Sequence, residues 1–414
     1  MTDVSFDGLV IVAAIAVAAP LAVATVPGLR RIPAVVLEIL AGIAVGPAGF
    51  GWVEPDTAIS VLAIVGLAFL LFLAGLELDL MRLRGPVLRS AGIGYVLTLV
   101  LGLVVGTVAA AADVVRSPLL LAVTLSATSL GLVVPVLKDS GAGDSEVGRL
   151  TIAGATVADF AAIVLLSLFF STGGSGGPAA SLVLLGLLAL LGAAAAAALS
   201  RLGMSSGIES LLVRLQDTTA EIRVRFAVVL LIGFVTLASH LGLETILGAF
   251  VAGAVLNLVD RDTGSHPHFR LKLEAVGYGF VIPVFFVASG LRFDLRALLD
   301  SPSALARVPL FLLALLVVRG LPALLYAPVV GRRPAFAAGL LQATTLPFLV
   351  TATAIGVSLD LMTPVTAAAL VAAGLVSVIV FPLVALALLR PQTATAGPTA
   401  PEGTLSAAVG RRPA

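Results

Sequence analysis

The chain contains no cysteine, so disulfides, thiolate metal sites and thiol-based redox switching are excluded. Charge is scarce as well. Only 11% of the residues are Asp, Glu, Lys or Arg, and the net charge of +1 favours no charged partner; no nucleic-acid partner is expected. There are three histidines. His240, His266 and His268 are expected in loops, and His266-Pro-His268 is too sparse for a metal site. No glycine-rich nucleotide loop and no nucleophile–base constellation occurs, so neither an enzyme nor a cofactor is expected.

What remains is largely apolar. Hydrophobic residues make up 59% of 414 positions and the mean hydropathy is +1.16, far outside the range of a soluble globular chain and characteristic of a polytopic, all-α membrane protein. Cutting at charged, Pro and Gly-rich breaks leaves 13 apolar segments, at about 6–26, 33–50, 57–78, 88–112, 117–137, 148–171, 180–200, 222–240, 242–259, 273–291, 304–326, 335–356 and 364–389, since a spanning helix needs about 20 residues. Asp3 and Asp7 precede the first run without a Lys or Arg, which predicts a retained first spanning helix instead of a cleaved leader. The tail 391–414 is rich in Pro, Thr and Ala and is expected to be disordered.

The 24 basic residues sort by side. If the N-terminus is outside, the inner loops and tail hold 19 of them, the outer loops only Arg116, Arg292, Arg296 and Arg307, and Arg319 lies inside an apolar segment. That asymmetry predicts an N-out, C-in multi-pass protein of the cytoplasmic membrane and requires an odd helix count.

Within this frame, the stretch Thr124 to Asp159 carries the chemistry. TLSATSLGLVVPVLKD places Thr124, Ser126, Thr128 and Ser129 just ahead of Gly131 and Pro135, a combination that disfavours a continuous helix. Freed carbonyls and hydroxyls are hard oxygen ligands suited to a small cation. The next segment, LTIAGATVADFAAIVLLSLFF, has Asp159 as its lone carboxylate near the centre. Such a residue costs about 2.5–3.5 kcal/mol on insertion scales and marks an ion or proton path.

The pattern recurs. QATTLPFLV, with Thr344, Thr345 and Pro347, echoes SATSLGLVV at an offset of 216; ILGAFVAG (246–253) echoes ILAGIAVG (39–46) at 207; GLRFDL (290–295) echoes GLELDL (75–80) at 215. Because the third and tenth segments differ by an odd number, the halves 6–171 and 222–389 must be inserted with opposite polarity, joined by a linker helix at 180–200. Two polar residues inside apolar runs complete the candidates. Arg319 stays protonated and needs a counter-charge or backbone acceptors. Glu38 reads either as lining a water-filled vestibule or as hydrogen-bonded to a neighbouring helix.

With these residues in view, the chain resembles the monovalent cation:proton antiporter-2 family of the sodium/proton exchanger superfamily. The resemblance rests on EILAGIAVGPAGFG, FLLFLAGLELDL, SATSLGLVVPVLKD, the mid-helix ADF, ETILGAFVAG and FFVASGLRFDL, in that order across about 6–390. It implies two inverted six-helix repeats, a dimerisation panel (segments 1–3 and 8–10) and hence a homodimer, and a transporting core (4–6 and 11–13). It also implies that the fifth and twelfth helices cross at unwound centres beside Asp159. By resemblance, Asp159 binds the cation or proton transiently, Thr128 lies in the unwound stretch with Ser129 beside it, and Arg319 is the basic residue of the eleventh helix. The implied activity is exchange of Na+ or K+ for a proton by elevator-like alternating access.

Ala158 departs from the Asn, Asp or Gln found in relatives and removes a second titrating group, which points to an electroneutral one-for-one cycle. ATTLPF replaces a charged motif, which leaves the choice of cation open. No nucleotide-binding regulatory domain is expected after the last helix. The competing readings are a gated potassium-efflux protein of the same fold, which would show flux without proton counter-movement, and a non-transporting membrane sensor.

Overall fold

The computed structural model describes residues 6–29, 32–77, 85–139, 141–170, 177–203, 221–263 and 267–389. The tail 391–414 and the polar loop 204–220 lie outside the described residues. Helices account for nearly all of the rest, and no strand occurs among the described residues.

In chain order, α1 (Phe6–Thr25), α2 (Ala34–Val45) and α3 (Thr57–Leu76) are followed by α4 (Gly85–Ala111), α5 (Pro118–Ser126), α6 (Leu130–Asp139), α7 (Glu146–Phe170) and α8 (Gly177–Gly203). The second half holds α9 (Ile222–His240), α10 (Thr245–Thr263), α11 (Pro267–Val276) and α12 (Ile282–Leu291), the last two joined by a π-turn at Gly277–Val281. A short α13 (Leu295–Leu299) leads to α14 (Pro302–Leu315), which continues through a π-turn (Leu316–Gly320) and a 3-10 stretch (Leu321–Tyr326) into α15 (Ala327–Val330). The chain then forms α16 (Arg332–Gln342), α17 (Pro347–Ser358) and α18 (Pro364–Leu389).

Among the described residues, nine helices are long and apolar enough to cross a membrane, and α16 with α17, bent by 46°, makes a tenth span. Three expected segments form shorter apolar helices, Ala34–Val45, Pro118–Val134 and Thr245–Val259. The cause is local. The segment 33–50 stops being helical at Val45 because Gly46-Pro47 turns the chain, with Gly46 N–H closing on the Gly42 carbonyl. The segment 117–137 is interrupted at Ala127–Ser129, where Ala127 is extended (φ −74°, ψ 155°).

The helices pack in two layers. In one, α3 lies on α10 and α12, α2 lies on α12, and α9 packs against α10. The pairing is reciprocal: the sequence echoes match α2 with α10 and α3 with α12, and each helix of one half packs on the other's counterpart. Gly75 and Gly290 occupy matched positions in the GLELDL and GLRFDL echoes. A Cβ at Gly75 would collide with the Phe250 carbonyl, and one at Gly290 with the Ile39 carbonyl. Only glycine lets these backbones approach so closely, the small-residue packing that holds helices together where no hydrophobic force is available. In the second layer, α4 packs on α5 and α7, α16 on α7 and α18, α14 on α18, and α17 on α5 and α18.

Candidate functional site

The interrupted helices meet at their breaks. Serine at N-cap and proline at N1 start α5, with Ser117 Oγ accepting from Leu120 N–H. The helix ends at Ser126, and three residues later the chain re-enters a helix at Leu130. In the other half α16 ends at Gln342 and α17 begins at Pro347, whose ring fixes the first helical position. Between them, Ser129 N–H donates to the Thr344 carbonyl at 2.9 Å, so each break supplies a backbone partner that the other lacks.

Breaking a helix leaves N–H groups at one half's start and carbonyls at the other's end without internal partners. Here charges meet both. The Asp159 carboxylate, projected from α7, accepts from Thr128 N–H (Oδ1, 3.1 Å) and from Leu130 N–H (Oδ2, 3.0 Å), at the positive end of α6. The Arg319 guanidinium, carried on the π-turn, reaches the Gln342 carbonyl at the negative end of α16 at 3.4 Å. Arg319 is 1% exposed. It donates to Thr128 Oγ1 through Nε (2.9 Å) and Nη2 (2.6 Å), to Thr98 Oγ1 at 3.2 Å and to the Gly154 carbonyl at 3.4 Å. Hydroxyls and carbonyls, not a direct ion pair, therefore accommodate this buried cation.

Thr128 links the two charges. Its N–H holds Asp159, while its hydroxyl accepts from Arg319 and donates to the Gln342 carbonyl at 2.7 Å. The ligand role expected for that hydroxyl does not fit this arrangement, because its donor and acceptor capacity is already used. Ser129 differs. The residue is 8% exposed, and Ser129 Oγ makes no hydrogen bond among the described residues. Asp159 itself is only partly buried.

The remaining expected residues fall as follows. Thr344 Oγ1 bonds back to the Leu340 carbonyl, and Thr345 lies fully buried in the second break. Pro135 is not at a break: it sits inside α6, which runs on to Asp139. The missing proline N–H forgoes one bond to Gly131 but does not stop the helix, and the interruption instead falls at the hydroxyl-bearing residues 127–129. Glu38 is 6% exposed and belongs to α2, in the layer packed against α1 and α12, so the structure does not bring it together with Asp159.

Sequence reasoning missed several contributors. Gln342 gives its carbonyl to Thr128 and Arg319 and its amide to Tyr326 Oη at 3.1 Å. A Cβ at Gly154 would strike the Gln342 amide and the Tyr326 hydroxyl. Ser377 on α18 accepts from Thr345 N–H at 3.4 Å and donates to the Gly374 carbonyl at 2.7 Å. The available signal was a single amide beginning QATTLPF and a lone serine within an apolar helix. Between the layers lies a cavity of about 550 Å³, lined by Leu67, Phe285 and Ser289 on one side and Thr351, Thr353 and Val371 on the other.

Comparison with known proteins bears on this geometry. The family model described as "Sodium/hydrogen exchanger, transmembrane" matches residues 12–390. The Bacillus subtilis (strain 168) protein YjbQ is 31% identical over 85% of the chain and 58% of its own length. An Na(+)/H(+) antiporter of Enterococcus hirae is 31% identical over 64% of the chain and 67% of its own. The chain thus spans roughly three fifths to two thirds of these relatives. The solved structure of the sodium proton antiporter MjNhaP1 from Methanocaldococcus jannaschii shares the fold, with a TM-score of 0.64 at 18% identity over 92% of this chain and 95% of that one.

Proposed function

Because the chain belongs to the sodium/hydrogen exchanger family, we propose that it exchanges a monovalent cation, Na+ or K+, for a proton across the cytoplasmic membrane, and that Asp159 is the exchanging group. The observation that carries this reading is the carboxylate at the crossing. Two backbone N–H groups hold it, its other lone pairs stay open, and it remains partly accessible. A carboxylate held this way takes a proton or a cation, and each displaces the other. Ser129 Oγ supplies an additional oxygen, Thr128 positions the carboxylate, and Arg319 stays fixed as a cation that balances Asp159 without leaving the site.

This charge pattern supports an electroneutral cycle. With Arg319 permanently protonated, the proton-loaded and cation-loaded forms of the site carry the same net charge, and Ala158 adds no second titrating group. One proton then moves against one cation. In an elevator-like cycle the layer holding α4–α7 and α14–α18 moves Asp159 across the glycine-packed layer, which also supplies the surface for a homodimer. The N-terminus lies outside and the C-terminus inside, as the distribution of basic residues supports.

The test uses the full chain in proteoliposomes, with proton movement followed as Li+, Na+ or K+ is added in turn, with and without an imposed voltage. Cation-driven proton flux that ignores the voltage is expected. Because proton and cation compete, lowering the pH by one unit should raise the half-saturating cation concentration by up to about tenfold. Cation flux without proton counter-movement would replace this reading with a gated efflux protein, and a rate that follows the voltage would refute the one-for-one stoichiometry.

A further inference from the structure

Most buried threonines among the described residues bond their hydroxyls back to a carbonyl one turn below. Thr98, Thr124, Thr151, Thr156, Thr344 and Thr353 all do so, at 2.6–3.1 Å. Thr345 cannot. The chain leaves α16 after Gln342, and the Leu341 carbonyl that would lie below it accepts instead from Thr344 N–H. Thr345 is 0% exposed, and its Oγ1 is the only threonine hydroxyl among the described residues that is buried without a partner. A buried hydroxyl left without a partner is unfavourable.

Its position gives that hydroxyl a use. Thr345 follows Thr344, whose carbonyl accepts from Ser129 N–H, and Ser129 is flanked by the two N–H groups that hold Asp159. Its backbone is fixed on both sides by Ser377, which accepts from Thr345 N–H and reaches the Thr345 carbonyl at 3.3 Å. Ser377 Oγ also donates to Gly374, so it is committed while Thr345 Oγ1 is not. A hydroxyl is a hard oxygen donor suited to a small, largely dehydrated monovalent cation.

We propose that Thr345 Oγ1, together with Ser129 Oγ, supplies oxygen ligands to the cation held by Asp159, which makes Thr345 a selectivity-determining residue. This rests on the exchanger reading and adds to it that the second, uncharged break sorts the cations that the first attracts. A proton on Asp159 needs no such ligand, so Thr345 should affect the cation half of the cycle alone.

The experiment compares wild type, Thr345→Val and Thr345→Ser in proteoliposomes. It reads the Li+, Na+ and K+ concentrations for half-maximal proton flux, with thermal unfolding measured on the same preparations. Valine keeps the shape and removes the oxygen. It should raise the half-saturating concentration of the preferred cation by about tenfold and narrow the preference among the three, while its unfolding temperature stays equal to wild type or rises, because an unmet hydroxyl is gone. Serine should restore wild-type affinity and order. Unchanged half-saturation and cation order in Thr345→Val would overturn the proposal. So would a loss of exchange accompanied by a lowered unfolding temperature that serine does not correct, since that is a packing effect. A wild type without cation-driven proton flux would overturn the exchanger reading itself, and this inference with it.

Discussion

The two broken helices of this protein use the same backbone device with different chemistry. In each, two half-helices are separated by a few non-helical residues, and a helix of the same half offers a polar side chain to the exposed N–H groups of the break. For the break between α5 and α6 that side chain is Asp159, bonded to Thr128 and Leu130 N–H. For the break between α16 and α17 it is Ser377, bonded to Thr345 N–H. The 216-residue offset that carries Thr128 to Thr344 carries Asp159 to Leu375, two residues before Ser377. One half therefore holds a negative charge at a helix start, and the other a neutral hydroxyl. The single buried cation among the described residues, Arg319, comes from the second half and serves the first. A symmetric pair of carboxylates would place two negative charges in one crossing; this arrangement leaves one, balanced, with its remaining lone pairs available.

The comparison breaks most completely at its charged member. Asp159→Asn preserves the shape and most of the volume but removes both the negative charge and the titration, so cation-driven proton flux should fall to the level of empty liposomes. Arg319→Ala comes next. Removing one member of a buried charge network costs about 3–5 kcal/mol, and here it also strands the Thr98 and Thr128 hydroxyls that accept from the guanidinium. Its unfolding temperature should drop and its flux should be lost. Arg319→Lys should recover part of both, because a single ammonium cannot reach Thr98, Thr128 and Gln342 together. Full flux with unaltered unfolding in Arg319→Ala would show that the cation does not hold the crossing.

Gly154→Ala probes the same half through packing. An added methyl would push into the Gln342 amide and the Tyr326 hydroxyl, displacing the residue whose carbonyl anchors both Thr128 and Arg319. A cost of about 1–3 kcal/mol is expected, the usual range for overpacking, with a reduced turnover measured in the same flux assay. Wild-type turnover would mean that the Gln342 side chain swings aside without moving its carbonyl.

Much of this was legible in the sequence because apolar runs make exceptions conspicuous. Asp159 and Arg319 stand out as lone charges, and the structure brings both to one crossing. The recurrence of hydroxyl-rich breaks pointed to where the helices meet. The same rule says less about other residues. Glu38 is as conspicuous as Asp159, yet it lies in the other layer, since burial of a charge does not say which neighbour it meets. Pro135 signals an interruption by its chemistry, but α6 runs past it to Asp139. The role of Thr128 was unreadable: whether a hydroxyl binds a cation or an arginine depends on what the fold places 191 residues away. Gln342, Gly154 and Ser377 escaped for the same reason, because their function is a contact and not a residue type.

The smallest expected effect tests the neutral half directly. Ser377→Ala removes the acceptor of Thr345 N–H and the donor to the Thr345 and Gly374 carbonyls. Two of these bonds, at 3.3 and 3.4 Å, are long, so the loss should be near the net value of an ordinary hydrogen bond, about 0.5–1.5 kcal/mol, and visible as a modest drop in unfolding temperature. Proton flux should persist, because no charge and no titrating group has been touched. If the two breaks were functionally equivalent, Ser377→Ala would instead abolish flux as Asp159→Asn does. The pair of mutants, measured in one preparation, decides whether the chemistry resides in one break supported by the other or is shared equally between them.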